Sequence, residues 1–418
     1  MEVVHPVCAG LDVHKDTVVA CVRIAEGSRV KAETRTFGTT TGELTKLGEW
    51  LRETHCTHAM MEATGVYWVP VWHILEGHLE AGDEETGEIL ELMLVNAQHV
   101  KAIPRKKTDK EDARWLADLL AHDLVRGSFV PPAWVQDLRA LMRTRKQFVH
   151  ERTRHVQRVQ KTLEQANVKL ASVLSNVMGT AGRAIIRALI AGETNPETLA
   201  SLVTTRVQAK RETLVEALRG AVTARHRFLL EVETGYVDNL DATIARIDKE
   251  AAAILEPFRV QAERLTAIPG VGSVAAQVIL SEIGTDMSRF PSAGHLVSWA
   301  GLAPRNDESA GKRQSTRTRK GSVWLKSILV QTAWAATRAK DSYLRAQFMR
   351  IKTRRGPMKA ILAVASSILS IAYVMLKRGV EYRDLGADYF DKRDQEKIVK
   401  RLTRKLDGLG YEVTKRAA

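Results

Sequence analysis

From Leu138 to Val177 the chain repeats apolar residues every 3.5 positions. Steps of four and three from Leu138 pass through Met142, Arg145, Val149, Arg152, Val156, Val159, Leu163, Ala166, Leu170, Val173 and Val177, and only the two arginines in that series are polar. Such a seam requires a long helix with a second helix laid along it, because one helix cannot bury its own stripe. Off the seam the segment is basic, with Arg139, Arg143, Lys146, Arg154, Arg158 and Lys161. A looser second seam runs through Val215, Leu218, Val222, Leu229, Val232, Tyr236, Leu240, Ile244, Ile247, Ala251 and Ile254. The stretch around "AGETNPETL" reads as a helix-poor connector between them. Residues 131–262 are therefore expected to form an antiparallel coiled-coil hairpin of basic helices, paired within one chain or between two.

Two prolines at 131–132 separate this region from a different pattern. In residues 1–130, "PVCAGLDVH" and "TVVACVRI" read as strands joined by the turn His14-Lys15-Asp16, and "RVKAETRTF" as a third. A helix follows over "TTGELTKLGEWLRET", opened by a capping box from Thr40 to Glu43. Then come the strand "THAMME", a helix around "VYWVPVWHILEG", the strand "EILELMLVN" and the helix "TDKEDARWLADLLAHDL". This order predicts a mixed sheet with helices packed on it. The acidic, glycine-containing segment from Glu76 to Leu92 reads as an exposed loop.

Residues 263–390 read as a third, mostly helical unit, and 391–418 as a mixed-charge tail. "IPGVGSVAAQVIL" resembles a helix-hairpin-helix turn, or else a tight turn between packed helices; Trp299 reads as core. The apolar run Ala360–Leu376 has 17 residues, at the short limit for a membrane span, and its Ala and Ser content favours a buried helix. Three scattered cysteines, Cys8, Cys21 and Cys56, imply neither a disulfide framework nor a zinc site and fit a reducing cytoplasm. No secretory signal layout opens the chain, so no membrane role is expected.

Charge points to the partner. Lys and Arg total 63 against 49 Asp and Glu, a net +14, which favours a polyanion, nucleic acid first. Within this basic chain, four acids fall at suggestive places. Asp12 lies near the end of the first strand, on the face opposite Leu11 and Val13, and Glu62 ends the fourth. Asp109 and Asp112 share one face of the following helix, while Glu111 points elsewhere. Each acid alone has an ordinary reading, as a strand-end turn residue or a helix-start acid. Together, with the first and fourth strands adjacent, they would hold two divalent cations of the Mg²⁺ or Mn²⁺ kind for phosphodiester chemistry. Lys106, Lys107 and Lys110 beside them become phosphate contacts. A second basic stretch holds Arg305, Lys312, Arg313, Arg317, Arg319, Lys320 and Lys326 against only Asp307 and Glu308, and Gly311 and Gly321 would let its backbone approach a ligand. Alone it reads as a phosphate-binding surface.

"GLDVHKDTVVACV", "MEATGVYWVPVWHIL", "LVNAQHVKAIPRKKTDKEDARWLADLLAHDLVRGSFVPP" and "GLAPRNDESAGKRQSTRTRKG" together resemble the DEDD-type transposases of the Piv/MooV kind, the insertion-sequence family numbered one hundred and ten. The resemblance runs from about Val7 to Leu376. It implies a RuvC-like domain of ribonuclease-H fold over 1–130, the coiled coil over 131–262 and a C-terminal transposase domain over 263–390. It implies that Asp12, Glu62, Asp109 and Asp112 are the metal-holding acids, and that the serine of "ESAGKR", Ser309, is the nucleophile that forms a covalent phosphoserine link to DNA. Many relatives carry Ser-Gly-Gly where this chain has Ser309-Ala310-Gly311, and Ser315 and Ser322 lie nearby. The implied partners are donor and target DNA, a structured guide RNA (the bridge RNA) and further copies of the chain in a dimer or tetramer. The implied place is the bacterial cytoplasm, on the nucleoid when active. Two other classes stand beside this one: a hydrolytic nuclease or junction resolvase using the acids alone, and a non-catalytic nucleic-acid scaffold.

Overall fold

The computed structural model describes residues 2–27, 29–63, 65–79, 90–96, 100, 109–204, 209–305, 307–309, 311–315, 317–393, 395–412 and 414. The chain divides into two compact units, Met1–Val130 and Pro131–Ala418.

The first unit is a five-stranded sheet with helices on both faces. Its elements are β1 (Val7–Val13), β2 (Thr17–Glu26), β3 (Arg29–Gly38), α1 (Thr41–Glu53), β4 (His58–Glu62), α2 (Trp68–Leu79), β5 (Glu91–Val95) and α3 (Asp109–Ala121). The strands lie in the order β3-β2-β1-β4-β5. β1, β2 and β3 are antiparallel neighbours; β4 runs parallel to both β1 and β5. Alternation along β1 explains the layering. Ala9, Leu11 and Val13 join the core that Leu44, Leu47, Trp50, Val71 and Leu75 close from α1 and α2. Cys8 faces the other way, where Met60 and Val95 meet Leu116, Leu119 and Leu120 of α3. A strand covered on both faces reads as a near-continuous apolar run, and β1 does except at Asp12. Thr40 occupies the N-cap of α1, but its side chain makes no capping hydrogen bond; Glu43 pairs with Lys46 at 2.7 Å instead, so the expected capping box is absent. Most of the acidic 76–92 segment lies outside the described residues.

The second unit is helical apart from one small hairpin. It holds α4 (Ala133–Gln165), α5 (Leu170–Val173), α6 (Thr180–Ala191), α7 (Pro196–Ser201), α8 (Arg211–Ala217) and α9 (Ala224–Leu255). It continues with α10 (Arg259–Thr266), α11 (Ser273–Ile283), α12 (Ala293–Trp299), β6 (Asp307–Ser309), β7 (Lys312–Ser315), α13 (Val323–Ala336), α14 (Tyr343–Arg355), α15 (Pro357–Arg378), α16 (Tyr389–Arg393) and α17 (Gln395–Asp407). The connector expected to be poor in helix contains α6, α7 and α8; Asn195 caps α7 by accepting from the Glu197 amide.

α4 and α9 pack antiparallel along much of their length. Arg145 pairs with Asp248, Arg152 with Asp241 and His155 with Glu233, so partners descend as α4 ascends. The two arginines that interrupt the first seam are thus the rungs of the pair. The second seam holds at Ile244 and Ala251 but is out of register nearer the start of α9. The buried residues of α9 are His226, Leu230, Thr234, Val237, Ile244, Ala251 and Leu255, whereas Val232 and Tyr236 are exposed. Asp241 and Asp248 lie on the buried stripe, and two acids there hide its period from an apolar count. α4 also stops earlier than its seam: Asn167 turns left-handed (φ 53°), and Leu170, Val173 and Val177 pack from separate elements.

The apolar run Ala360–Leu376 lies in α15. Among the described residues this is the one helix long and apolar enough to cross a membrane, and half of its apolar window is buried inside the unit. Ile361, Val364, Ala365, Ile368 and Leu369 are on its buried face.

Candidate acidic cluster and serine loop

The acids of the first unit are placed by strand register. The pairing of β1 with β4 ends at Leu11 opposite Met61, so Asp12 and Glu62 occupy the next position on neighbouring parallel strands. Residues in register on parallel neighbours share a face, and adjacent strands lie about 4.8 Å apart. Asp12 is 8% exposed and Glu62 6%. His14 Nε2 donates to Asp12 Oδ2 at 3.1 Å.

Their face is the one α3 covers. Gly10 makes that contact intimate: a β-carbon there would lie 2.1 Å from the Ala113 carbonyl oxygen and 2.5 Å from the Ala117 nitrogen. Cys8 Sγ donates to the Ala117 carbonyl at 3.4 Å, and the Val4 amide donates to the Ala121 carbonyl at 2.8 Å. α3 therefore runs antiparallel to β1, with its first turn toward the strand end that carries Asp12. Asp112, half-buried, stands one residue before Ala113 and in stripe with Leu116; Glu111 is exposed. Arg23 of β2 holds the helix from the other side through Asp118 at 2.9 Å. Asp109 is the first residue of α3, and its side chain and that of Lys110 lie outside the described residues, as do Lys106 and Lys107 entirely.

Two buried carboxylates side by side are expensive unless a cation or donors compensate them. Carboxylate oxygens are the ligands a hard divalent cation prefers, so the donor chemistry fits Mg²⁺. Among the described residues, no three His, Cys, Asp or Glu side chains gather closely enough to hold a metal. The cluster is Asp12 and Glu62 in register, with Asp112 on the covering helix.

The basic loop of the second unit has a closed neck. Gly301 (φ 70°) and Gly321 meet backbone to backbone; a β-carbon on Gly321 would fall 2.5 Å from the Gly301 nitrogen. The expectation that Gly321 receives a ligand is thus corrected, because the backbone of the neck fills that space. Above it, Pro304 bridges Thr318, and the Arg305 amide donates to the Arg317 carbonyl at 2.9 Å. Lys326 Nζ donates to Thr318 Oγ1 and the Gly301 carbonyl. β6 and β7 then form a hairpin whose last pair is Ser309 opposite Lys312, with Gly311 in the turn at φ 73°. Ser309 thus stands at the hairpin tip. Arg305, Lys312, Arg317, Arg319 and Lys320 are exposed; the side chains of Ser309 and Arg313 lie outside the described residues.

The neighbouring serines are committed elsewhere. Ser315 Oγ accepts from the Arg317 amide at 3.2 Å. Ser322 caps α13 by accepting from the Leu325 amide and donates to Glu282 Oε2 at 2.9 Å. Glu282, 1% exposed, accepts from Arg143 Nε at 2.9 Å and Nη2 at 3.0 Å. Arg139 grips the same turn through the carbonyls of Ser281 and Glu282. This anchor fastens the loop's exit to α4 and was missed from the sequence. Its signal was present: Glu282 is the only charged residue of α11. The helix-hairpin-helix resemblance resolves toward packing. A β-carbon on Gly270 would lie 2.3 Å from the Thr332 carbonyl, so that turn is pressed against α13. Trp299 packs edge-on to Phe290 with ring centroids 5.6 Å apart.

Two family models match the chain. One, described as a transposase of the DEDD type typified by IS110, matches residues 9–168; the other, the transposase IS116/IS110/IS902 family, matches residues 262–349. Relatives are similar at low identity. The transposase for insertion sequence element IS1111A of Coxiella burnetii is 25% identical over 69% of this chain and 72% of its own length. The pilin gene-inverting proteins of Moraxella bovis and Moraxella lacunata are each 23% identical over 93% of this chain and 98% of theirs.

Proposed function

The chain belongs to the IS110 family of insertion-sequence transposases, and from that premise we propose that it cuts and exchanges DNA strands through a covalent phosphoserine intermediate. The observation that carries the reading is the register of Asp12 and Glu62, two buried acids on adjacent parallel strands under the start of α3. The strand order, three antiparallel strands followed by two parallel ones, fits a RuvC-like, ribonuclease-H-type domain.

Asp12, Glu62, Asp109 and Asp112 would hold Mg²⁺ or Mn²⁺. A divalent cation so bound supplies charge stabilisation at the phosphoryl oxygens. The chain's own residues do the rest. Ser309 is the nucleophile: its Oγ forms a bond to phosphorus as one strand oxygen leaves with the proton, and the reverse attack by the new strand's hydroxyl restores the serine. The phosphodiester is conserved throughout. Ser309 is favoured over Ser315 and Ser322 because the latter two hold loop and helix geometry. The exposed Arg305, Lys312, Arg317, Arg319 and Lys320, with Arg313, would neutralise the DNA phosphates, and Lys106, Lys107 and Lys110 would do so beside the acids. A structured guide RNA would lie along the basic face of α4 and supply target choice, with the chain acting as a dimer or tetramer.

The test combines the chain, RNA from the element's flank, supercoiled donor and target DNA, and Mg²⁺. Wild type is expected to give a protein–DNA adduct and recombinant junctions. Ser309→Ala and Asp12→Asn are each expected to abolish both. Adducts that persist in Ser309→Ala sink the nucleophile assignment. Metal-dependent cleavage to free ends without any adduct establishes the hydrolytic alternative.

A further inference from the structure

α4 carries a basic ridge. Arg139, Arg143, Lys146, His150 and Arg154 follow at three- and four-residue steps and so share a face. The ridge changes character along its length. Arg139 and Arg143 are consumed by the Glu282 anchor. Lys146, His150 and Arg154 form no ion pair among the described residues; Lys146 donates one hydrogen bond, to Ser327 Oγ at 2.8 Å.

At that change a cavity of about 160 Å³ opens between α4, α11 and α13. Val274, Val278 and Ile328 supply apolar wall, Gln331 an amide, and Trp324 an indole. Lys146 Nζ lies 5.2 Å and Arg143 Cζ 5.6 Å from the centre of the Trp324 ring. Burial pulls the Lys146 ammonium below the usual lysine range, so an arriving anion stabilises its charge.

Size narrows the ligand. The cavity has room for the share of about five waters, and pockets for drug-sized molecules run from roughly 300 Å³ upward. A single planar ring system fits; a larger metabolite does not. An indole, an amide and a continuing row of basic side chains outside are the elements of single-strand recognition, in which bases stack on aromatic side chains and phosphates follow a basic groove. Paired bases inside a duplex cannot enter such a recess.

We propose that this cavity takes one unstacked base of a single-stranded nucleic-acid segment, with the base against Trp324, its phosphate between Lys146 and His150, and the strand leaving toward Arg154. The site rests on the reading that the chain works on nucleic acid, and it adds where a strand is held open.

The experiment titrates the full chain with a short single-stranded DNA carrying one 2-aminopurine. Wild type is expected to quench the probe, while a blunt duplex of the same length competes poorly. Trp324→Leu is expected to weaken binding about tenfold and Trp324→Phe to keep most of it. Lys146→Gln is expected to lower the salt slope of binding by about one ion. Thermal melts identify which variants are folded. A folded Trp324→Leu protein that binds and quenches like wild type overturns the site, as does equal competition by duplex. Wild-type protein that quenches the probe but yields neither adduct nor recombinant would count against the catalytic assignments and leave this site standing.

Discussion

Gly10 of β1 and Ala113 of α3 approach so closely that a β-carbon on the glycine would lie 2.1 Å from the alanine's carbonyl oxygen. The obstacle is backbone, which cannot swing aside as a side chain can. Gly10→Ala must push α3 away from the sheet, and overpacking of this kind costs about 1–3 kcal/mol. Because α3 begins with Asp109 and carries Asp112, the variant is expected to lose recombination activity even where it remains folded. Urea melts and adduct yield measure the two effects. Full activity in a destabilised Gly10→Ala protein would separate the acids from helix placement.

Glu282 is a buried carboxylate shared by Arg143 and Ser322. Glu282 is buried but Arg143 is 37% exposed, so water partly compensates the arginine once its partner is removed. Glu282→Ala is expected to destabilise by about 2–3 kcal/mol, and Ser322→Ala by about 1 kcal/mol. Chemical denaturation gives both numbers; near-equal losses would contradict the hub geometry.

The thiols of Cys8 and Cys56 are pushed by burial up to about 12, and that of Cys21 is raised for the same reason. Thiolate is the reactive form, so all three are expected to resist iodoacetamide at neutral pH while the unfolded chain labels fully. Rapid labelling of one cysteine in the native protein, read by mass spectrometry, would place it at the surface.

His58 sits on β4 with its ring centroid 3.9 Å from that of His5. Burial, then the neighbouring His5 charge, lowers its pKa below the ordinary 6.5. A depressed histidine is neutral in the folded chain while the unfolded chain takes up the proton, so stability falls as pH drops through 6.5 and the loss levels off below the folded value. Melting temperature is expected to decline between pH 7.5 and 5.5, less steeply in His58→Gln. Parallel declines in the two proteins would remove His58 from the account.

The first unit was legible because its signals are local and two-sided. Period-two runs bounded by turns place β1, β2 and β4, and the acids sit at the ends of those runs. The long pair was half legible. Arg145 and Arg152 interrupt one seam without hiding it, but Asp241 and Asp248 blank two positions of the other and shift its apparent phase onto exposed Val232 and Tyr236. Polar residues satisfied across a helix pair carry no apolar signal. The Glu282 anchor joins residues 139 positions apart from Arg143, and pairing at that distance leaves no local pattern. Thr40 shows the opposite failure, a local motif whose hydrogen bond is not made.

The rungs between α4 and α9 also bear on the order in which the chain assembles. They link residues separated by 103, 89 and 78 positions. Closing a slack loop near ninety residues costs about 4 kcal/mol in chain entropy, more than a half-exposed ion pair returns. The intervening chain is not slack: Leu170, Ile185, Leu189, Leu199 and Leu214 knot together with Val159 and Leu163 of α4 and Leu230 and Val237 of α9. That knot shortens the loop before the rungs form. The pair is therefore expected to zip from its knotted end toward Arg145 and Asp248, and pulse-labelled hydrogen exchange would see Ile185 and Leu189 protected first. Simultaneous protection of the whole pair would mean that the long helices meet before the knot exists.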